Sequence, residues 1–406
     1  MTKPQTDTAM SARAGSVASP ISLSARMRGV LDEIAARAAE CEEMRQVPSE
    51  NVAALRGIGY LRALVPPAFG GGGMEDLIDL YRAGRLLATA CPSTAWAMQL
   101  LMGHAHVVAA LDPQVQREVW ASGPDTLVCT SVAPFGRFTR VAGGIRISGS
   151  YQFASGCDHA EWAILGGVME NPLTGEAEHH LAILPRADYR IEDSWFAMGM
   201  KGSGSNDIVI DDAFVPDYRV EPFAALAMGT SRGAGLHPGI VYRIPFMAIF
   251  GAGFSVIALG ITDGMISAYG ERLRGRVRAY TGAKVLESLP ASMRLAESTQ
   301  ELYAATLMLE TDWADFIAHG TGEKTLTQDT QVAWRTNQAF AIKLCVRASD
   351  RLFDASGGSG GLQKSRLQRY WRDLHMAAGH AYTDYDVAAQ ILGRHLMNLP
   401  PDRALL

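Results

Sequence analysis

Apolar and polar positions follow two different periods along the chain, and the changes of period divide it into three parts. From residue 23 to residue 125, apolar residues recur every three or four positions, as in MRGVLDEIAARAAECEEM, which predicts helices. Residues 126–223 instead alternate every second position between turn signals, as in GGIRISGSYQFAS, which predicts a β domain. From residue 224 to residue 406 the helical period returns in long segments with short Gly-containing joints. This last pattern predicts an antiparallel helical bundle.

Composition places the chain among globular proteins with a large core. Of its 406 residues, 48% are hydrophobic and 19% are charged. The net charge of -5 is spread without long basic runs, so no binding of nucleic acid is expected. The most apolar run, Phe246 to Gly260, is interrupted by glycines and predicts a buried helix, so no membrane partner is expected either.

Two further features concern the compartment. Residues 1–22 are rich in Ser, Thr, Ala and Pro, lack the apolar core of a signal peptide, and predict a disordered N-terminal segment. The five cysteines are odd in number, widely separated and without a C-x-x-C pair, which favours neither a disulfide framework nor a metal site. A reducing cytoplasm fits this pattern best.

Three phrases occur in an order that resembles the acyl-CoA dehydrogenase family. They are GYLRALVPPAFGGGGM, FAMGMKGSGSNDIVIDDAFVP and LFDASGGSGGLQKSRLQRYWRD, and they extend from about Gly57 to Asp373. The resemblance implies an α+β fold with an N-terminal helical domain, a central β-barrel-like domain and a C-terminal four-helix bundle. It also implies a flavin between the last two domains and a homotetramer.

The chain departs from the dehydrogenases where those enzymes hold their carboxylate base. In MAAGHAYTDYD, Ala381 stands where the glutamate would fall, and TSVAPFGRFTRV lacks the acidic residue of the dehydrogenase strand. Both departures, together with FASGCDHAEW and RDLHMAAGH, resemble the oxygenase components of two-component flavin monooxygenases. Some dehydrogenases keep the base on another helix, so the dehydrogenase remains an alternative, as do an amine N-hydroxylase and a non-enzymatic flavin-binding scaffold.

The oxygenase resemblance implies a defined set of cofactors and partners. Reduced FMN or FAD would come from a separate NAD(P)H:flavin reductase and react with O2 to give a C4a-hydroperoxide, which then oxygenates a small aromatic substrate. No G-x-G-x-x-G fingerprint follows a predicted strand, as expected for a chain that does not itself bind NADH.

His380 is the first candidate for catalysis, because it lies beside the position of the dehydrogenase base. We predict that it accepts the proton of a phenol O–H or indole N–H; a packed core histidine is the alternative. His375 precedes it by five residues, about 140° around the predicted helix, so only one of the two should face the flavin. We predict that this one is His380.

Two segments of the predicted β domain supply hydroxyl groups. By the resemblance, Ser155 in FASG lies beside the flavin ring, where its hydroxyl would bind N5; otherwise it ends a strand in a turn. Thr130 and Ser131 in CTSVAP would face flavin or substrate by the same resemblance, with Ser131 in a catalytic role; otherwise they cap a strand end.

The remaining candidates are His104, Arg243 and Trp162. His104 lies on a helix that borders the substrate cavity in the family, and His106, two positions on, should point elsewhere. Arg243 would oppose the negative charge of the reduced flavin, unless it lies at the surface. Trp162 is chosen among the tryptophans for its closeness to Ser155 in sequence; core packing is the alternative.

Overall fold

The computed structural model describes residues 21–74, 76–171, 174–277, 280–282 and 284–400. The segment 1–22, for which the sequence predicts disorder, therefore lies outside the described residues apart from its last two.

The N-terminal part of the described chain is helical, as its spacing of apolar residues predicts. Its helices are α1 (Leu23–Arg28), α2 (Leu31–Ala36), α3 (Ala38–Met44), α4 (Ser49–Gly57), α5 (Leu77–Ala90), α6 (Pro92–Ala110) and α7 (Pro113–Val119). Polar side chains begin several of them; the carboxylate of Asp76, for example, accepts the backbone N–H of Asp79 at the start of α5. Helix α6 is buried along most of its length because it packs against both α9 and the first strand of the β domain.

The central residues form one mixed sheet, in agreement with the alternating pattern. Its strands are β1 (Val128–Val141), β2 (Gly144–Ala154), β3 (Trp162–Glu170), β4 (Ala177–Pro185), β5 (Arg190–Glu192), β6 (Asn206–Pro216) and β7 (Val220–Pro222). They lie in the order β5-β6-β2-β1-β3-β4-β7, and the pair β1 and β3 is parallel whereas the other pairs are antiparallel. This arrangement brings the start of β1 next to α6.

The C-terminal part returns to helices, as predicted, and its long members pack on one another as a bundle. The helices of this part are α8 (Phe223–Ala227), α9 (Phe246–Gly275), α10 (Leu289–Thr321), α11 (Gln328–Ser356), α12 (Arg366–Ala378) and α13 (Tyr385–Leu396). Short 3-10 turns join the elements at Pro67–Phe69, Cys157–His159, Arg186–Asp188, Lys201–Ser203, Asp217–Arg219, Ile240–Arg243, Val285–Glu287, Gly358–Gly361 and Ala381–Thr383. The predicted acyl-CoA dehydrogenase-like α+β fold is confirmed.

Helix α9 occupies the centre of the bundle. By length and composition it is apolar enough to cross a bilayer, but 83% of its most apolar window is buried inside the protein. The prediction of a buried helix at Phe246 to Gly260 is therefore confirmed.

One prediction about the last helices is wrong. Helix α12 ends at Ala378, so His380 does not lie on it and the helical angle between His375 and His380 does not apply. His380 instead precedes the 3-10 turn Ala381–Thr383, and its ring accepts the backbone N–H of Tyr382. Gly379 ends the helix, which turns His380 toward α9 while His375 stays on α12 against Trp371 and Asp350.

Candidate active site

A cavity lies between α6 and α9, on the side of α6 that includes His104. Its wall contains Gln99 and Gly103 of α6 and Phe250 and Gly253 of α9. The cavity is small, and most of its lining is apolar. An apolar lining with a few polar groups is the usual character of a small-molecule site.

His104 is held by two residues of β1. Its Nδ1 lies 2.6 Å from the carbonyl oxygen of Val128, and its Nε2 lies 3.0 Å from the hydroxyl of Thr130. A carbonyl oxygen only accepts hydrogen bonds, so Nδ1 carries the proton of the neutral ring and Nε2 presents a lone pair. Burial lowers the pKa of His104 to about 4, against the opposing effect of the Val128 carbonyl, so the ring is neutral at physiological pH.

His380 lies in an aromatic cluster formed by α6 and α9. Its ring centroid is 4.3 Å from that of Phe254, 5.9 Å from that of Trp96 and 6.1 Å from that of Phe250. Nδ1 accepts the N–H of Tyr382 at 3.1 Å, so the proton of the neutral ring is on Nε2. Burial, with a further contribution from the positive charge of Arg335, lowers the pKa of His380 to about 4.

Ser155 lies at the turn that follows β2. Phe153 (φ 64°) and Gly156 (φ 70°) reverse the chain there and bring Ser155 beneath α6. The indole N–H of Trp96 donates to its Oγ at 3.0 Å, and its Oγ lies 2.7 Å from that of Ser205. Ser205 in turn lies 2.7 Å from the hydroxyl of Ser203. The result is a buried row of hydroxyl groups that ends at Trp96, next to His380.

The structure brings together four of the residues selected from the sequence, in two neighbouring groups. His104 bonds to Thr130, and Ser155 is linked through Trp96 to the ring of His380. Cavity residue Phe250 packs against His380 and lines the same space as His104, so both groups border one region.

Three other candidates lie outside these contacts. The hydroxyl of Ser131 points to the opposite side of β1 from Thr130 and donates to the carbonyl of Gln152 at 2.7 Å. Trp162, on β3, lies under the guanidinium of Arg219 at 5.0 Å. Arg243 is exposed and donates to the carbonyls of Pro238 and Gly320.

Sequence reasoning missed several residues that complete the cluster. They are Trp96, Phe250, Phe254, Tyr382 and Arg335. The aromatic residues of α9 follow a signal that was available: Phe250 and Phe254 are four residues apart and therefore share one helix face. No comparable signal marks Arg335, whose partner Tyr382 lies 47 positions later, beyond another helix.

The residues present fit a flavin. An isoalloxazine ring needs an aromatic or apolar surface along its faces and hydrogen-bond donors at its edge. The row Trp96–Ser155–Ser205 supplies buried hydroxyl groups beside an aromatic wall, and the side chain of Phe153 is 58% exposed next to Ser155. An aromatic side chain exposed at a turn offers such a surface to a bound ring.

Two family models match the chain. The model of the acyl-CoA dehydrogenase N-terminal domain matches residues 23–121, and that of the acyl-CoA dehydrogenase C-terminal domain matches residues 252–385. These matches agree with the three-part fold described above.

Relatives of defined name are similar over nearly the whole chain. The oxygenase component of p-hydroxyphenylacetate 3-hydroxylase from Acinetobacter baumannii is 43% identical, covering 96% of this chain and 92% of the relative. The oxygenase component of an FADH2-dependent resorcinol hydroxylase from Rhizobium sp. (strain MTP-10005) is 32% identical, covering 94% and 95%. The crystal structure of 3-HSA hydroxylase from Rhodococcus sp. RHA1 matches with a TM-score of 0.89 and 32% identity, covering 95% and 99%. The chain therefore belongs to the family of flavin-dependent oxygenase components of two-component hydroxylases, which are built on the acyl-CoA dehydrogenase fold.

Proposed function

We propose that this chain hydroxylates the ring of a small phenol or indole-type substrate, with O2 and reduced FMN or FAD supplied by a separate NAD(P)H:flavin reductase. The observation that carries the proposal is the cavity that His104 lines, in which a neutral imidazole bonded to the Thr130 hydroxyl lies beside an apolar, aromatic wall. Among the described residues that line this cavity there is no Asp or Glu. A thioester dehydrogenase would need such a carboxylate base, so this lining favours the oxygenase over the dehydrogenase.

Ser155 and Trp96 are the residues that would hold the flavin, with Ser155 as donor to the flavin edge. When bound, the reduced flavin supplies the activated oxygen atom. Ser155 Oγ accepts the N–H of Trp96, and its own proton can go to the flavin edge when Ser205 is the donor in the contact between the two hydroxyl groups. Ser205 and Ser203 continue the row behind it and fix its direction. The same row excludes water from that edge because its members are buried.

His104 and Thr130 are placed to remove a proton from the substrate. His104 lines the cavity, and its Nε2 lone pair accepts the hydroxyl proton of Thr130, whose oxygen would in turn accept the phenol O–H. The proton would thus move from substrate to Thr130 while the Thr130 proton moves to His104. The Val128 carbonyl at Nδ1 stabilises the imidazolium that results. Loss of the phenol proton makes the ring carbons more nucleophilic toward an electrophilic oxygen atom.

His380 takes a different role from the one that the sequence suggested. Its Nδ1 is occupied by the N–H of Tyr382, so its Nε2–H is a hydrogen-bond donor and not a proton acceptor. We therefore assign the base to His104, and to His380 a hydrogen bond to an oxygen atom at the meeting point of flavin and substrate.

The partners and the compartment follow from the proposed reaction. The chain would work in the cytoplasm, without a membrane, beside its reductase. A homotetramer is supported by exposed apolar side chains on one helix, since Leu289, Met293 and Tyr303 of α10 are each more than half exposed. Multi-angle light scattering of the purified chain tests the tetramer directly.

The reaction is tested with purified chain, a flavin reductase, NADH and ¹⁸O2. A panel of p-hydroxyphenylacetate, resorcinol, indole-3-acetate and an aromatic amine should give a ring-hydroxylated product with one ¹⁸O atom, and only when reductase is present. A nitrogen-oxygenated product would instead establish an amine N-hydroxylase. Reduction of a dye by an acyl-CoA in the absence of O2 would establish a dehydrogenase. If the chain shows none of these activities, the flavin-binding scaffold remains as the alternative.

A further inference from the structure

Gln99 of α6 uses only one end of its side-chain amide within the protein. It lines the cavity, and only 5% of its surface is exposed. The hydroxyl of Tyr60 donates to its Oε1, whereas its Nε2 makes no hydrogen bond to a described residue. A buried N–H group without an acceptor destabilises the folded state. The two N–H groups of Gln99 are therefore available to a ligand in the cavity.

The other buried glutamines of the described chain show what a structural role looks like. In each of them Nε2 donates to a backbone carbonyl and Oε1 has a side-chain partner. These residues are Gln116, Gln338 and Gln368. Gln99 differs from all three in the free end of its amide, so the contact with Tyr60 alone does not account for a glutamine at this position.

Two glycines show which end of the Gln99 amide faces the cavity. Gly84 of α5 lies against Oε1, where an added Cβ would come within 2.5 Å of that oxygen. Gly253 of α9 lines the cavity, and a Cβ added there would lie 3.8 Å from Nε2. The Oε1 atom is thus directed to α5 and Tyr60, and the free N–H groups are directed to the α9 wall of the cavity.

The surroundings of these N–H groups are uncharged. Among the described residues that line the cavity there is no Lys, Arg, Asp or Glu, and His104 is neutral. Tyr81 of α5 adds a further uncharged group to the lining, a buried hydroxyl without a partner in the described chain. An anion bound beside Gln99 would be buried without a counter-charge, which is costly. An uncharged oxygen atom can accept the amide N–H without that cost.

We propose that Gln99 is a specificity-determining residue that donates a hydrogen bond to an uncharged oxygen on the aromatic substrate, such as a ketone or amide carbonyl. Gln99 precedes His104 by five residues, which is about 7.5 Å along the axis of α6. One substituted aromatic ring can extend over this distance, with its phenol oxygen at Thr130 and its second oxygen at Gln99. The inference rests on the proposed function, since it names the substrate class of the same cavity.

The test compares three phenols of nearly the same shape: 4-hydroxyacetophenone, a ketone; 4-isopropenylphenol, its apolar alkene counterpart; and 4-hydroxybenzoate, an anion. Binding of each to the anaerobic complex with reduced flavin is measured by calorimetry for the wild type and Gln99→Met. The wild type should bind the ketone about threefold to tenfold more tightly than the alkene, the net value of a hydrogen bond between uncharged groups. It should bind the anion more weakly than the ketone. Gln99→Met keeps the length of the side chain without the donor and should lose the preference for the ketone over the alkene.

Gln116→Met is the matched control, because it makes the same replacement at a buried glutamine outside the cavity lining. It should keep the wild-type ratio of ketone to alkene binding, although its melting temperature should fall with the loss of bonds at both ends of the amide.

The outcomes separate the inference from the proposed function. Equal binding of ketone and alkene by the wild type, or tighter binding of the anion than of the ketone, would overturn the inference, and this comparison decides even where Gln99→Met does not fold. A folded Gln99→Met variant that keeps the wild-type ratio would overturn it as well. Because these values are obtained without O2, they do not depend on turnover. Failure of the wild type to hydroxylate any phenol would instead overturn the function.

Discussion

His104 and His380 carry their ring protons on opposite nitrogen atoms. Nδ1 of His104 donates to the Val128 carbonyl at 2.6 Å, whereas Nδ1 of His380 accepts the Tyr382 N–H at 3.1 Å. The Nε2 atoms are therefore a proton acceptor in one ring and a donor in the other. In the proposed reaction, His104 would therefore remove a proton and His380 would stabilise an oxygen atom.

Replacement of His104 by alanine should lower hydroxylation about a hundredfold to ten-thousandfold, the usual contribution of a general base. The reduced flavin should still react with O2, because that step does not need His104, so H2O2 release should rise as product falls. Raising the pH toward the pKa of a phenol, about 10, should restore part of the rate, because a phenolate needs no base. Product and H2O2 are measured together across this pH range.

Two control variants accompany this measurement. His106, on the same helix, bonds to the carbonyl of Val241 on another side, so His106→Gln should hydroxylate as the wild type does. His380→Gln retains an N–H donor and should lose less activity than His380→Ala, with no rescue at high pH. Unchanged hydroxylation and coupling in His104→Ala would mean that the proton acceptor lies elsewhere.

Loss of the Ser155 hydroxyl should affect the flavin rather than the substrate. In Ser155→Ala, H2O2 should be released about tenfold faster in the absence of substrate, as expected when one hydrogen bond to a polar edge is removed. Ser205→Ala should produce a smaller change in the same direction, since Ser205 acts only through its 2.7 Å contact with Ser155. Stopped-flow mixing of reduced complex with O2 measures both, and a larger effect in Ser205→Ala would contradict the proposed order of contacts.

The sequence predicted the fold because its signals are local. The three-and-four spacing and the alternation of residues depend on neighbours along the chain, and they place the helices and strands without knowledge of the partners. Pairings within one helix turn were predictable only in part. Gln368 and Arg372 bond at 2.6 Å as their spacing suggests, but Arg369 pairs with Glu42 instead of Asp373, which accepts the N–H of Met200. Those partners lie in the other two domains, so spacing alone could not reveal them.

The same dependence on partners distant in sequence explains why some site residues were predicted and others were not. Trp162 is close to Ser155 in sequence but lies on a different strand, whereas Trp96, almost 60 positions earlier, donates to Ser155. Likewise, the sequence could identify His380 as polar and near the expected base, but not which nitrogen would be free. That property depends on the end of α12 at Ala378 and on the backbone N–H of Tyr382.

The carboxylate of Glu42 joins all three parts of the chain. It contacts Arg369 and Arg372 of α12 and Lys201 of the β domain, and its side chain is only 18% exposed. Glu42→Gln leaves two partly buried arginines without a counter-charge and should lower the free energy of unfolding by about 1 to 3 kcal/mol. Urea unfolding followed by tryptophan fluorescence measures this change. The exposed pair Arg140 and Asp217 is the control, and Asp217→Asn should change stability by less than about 1 kcal/mol.

His106 should make stability depend on pH in a predictable direction. Burial lowers its pKa to about 4, whereas the unfolded chain has an ordinary value of about 6.5. Between these values the unfolded state binds more protons than the folded state, so stability falls as the pH decreases from about 6.5 to about 4. For this residue the loss between pH 7.5 and pH 5 is about 2 kcal/mol.

The variant His106→Gln isolates this contribution, because Gln can still donate to the Val241 carbonyl but does not titrate. Its overall stability will differ from that of the wild type, but the other titrating groups are common to both proteins, so their effects cancel in the comparison of pH profiles. Melting temperatures and urea midpoints at pH 7.5, 6 and 5 should show a smaller loss in the variant, with the gap widening as the pH falls. Parallel profiles would mean that His106 becomes protonated in the folded protein at these pH values, which a buried ring bonded only to a carbonyl should resist.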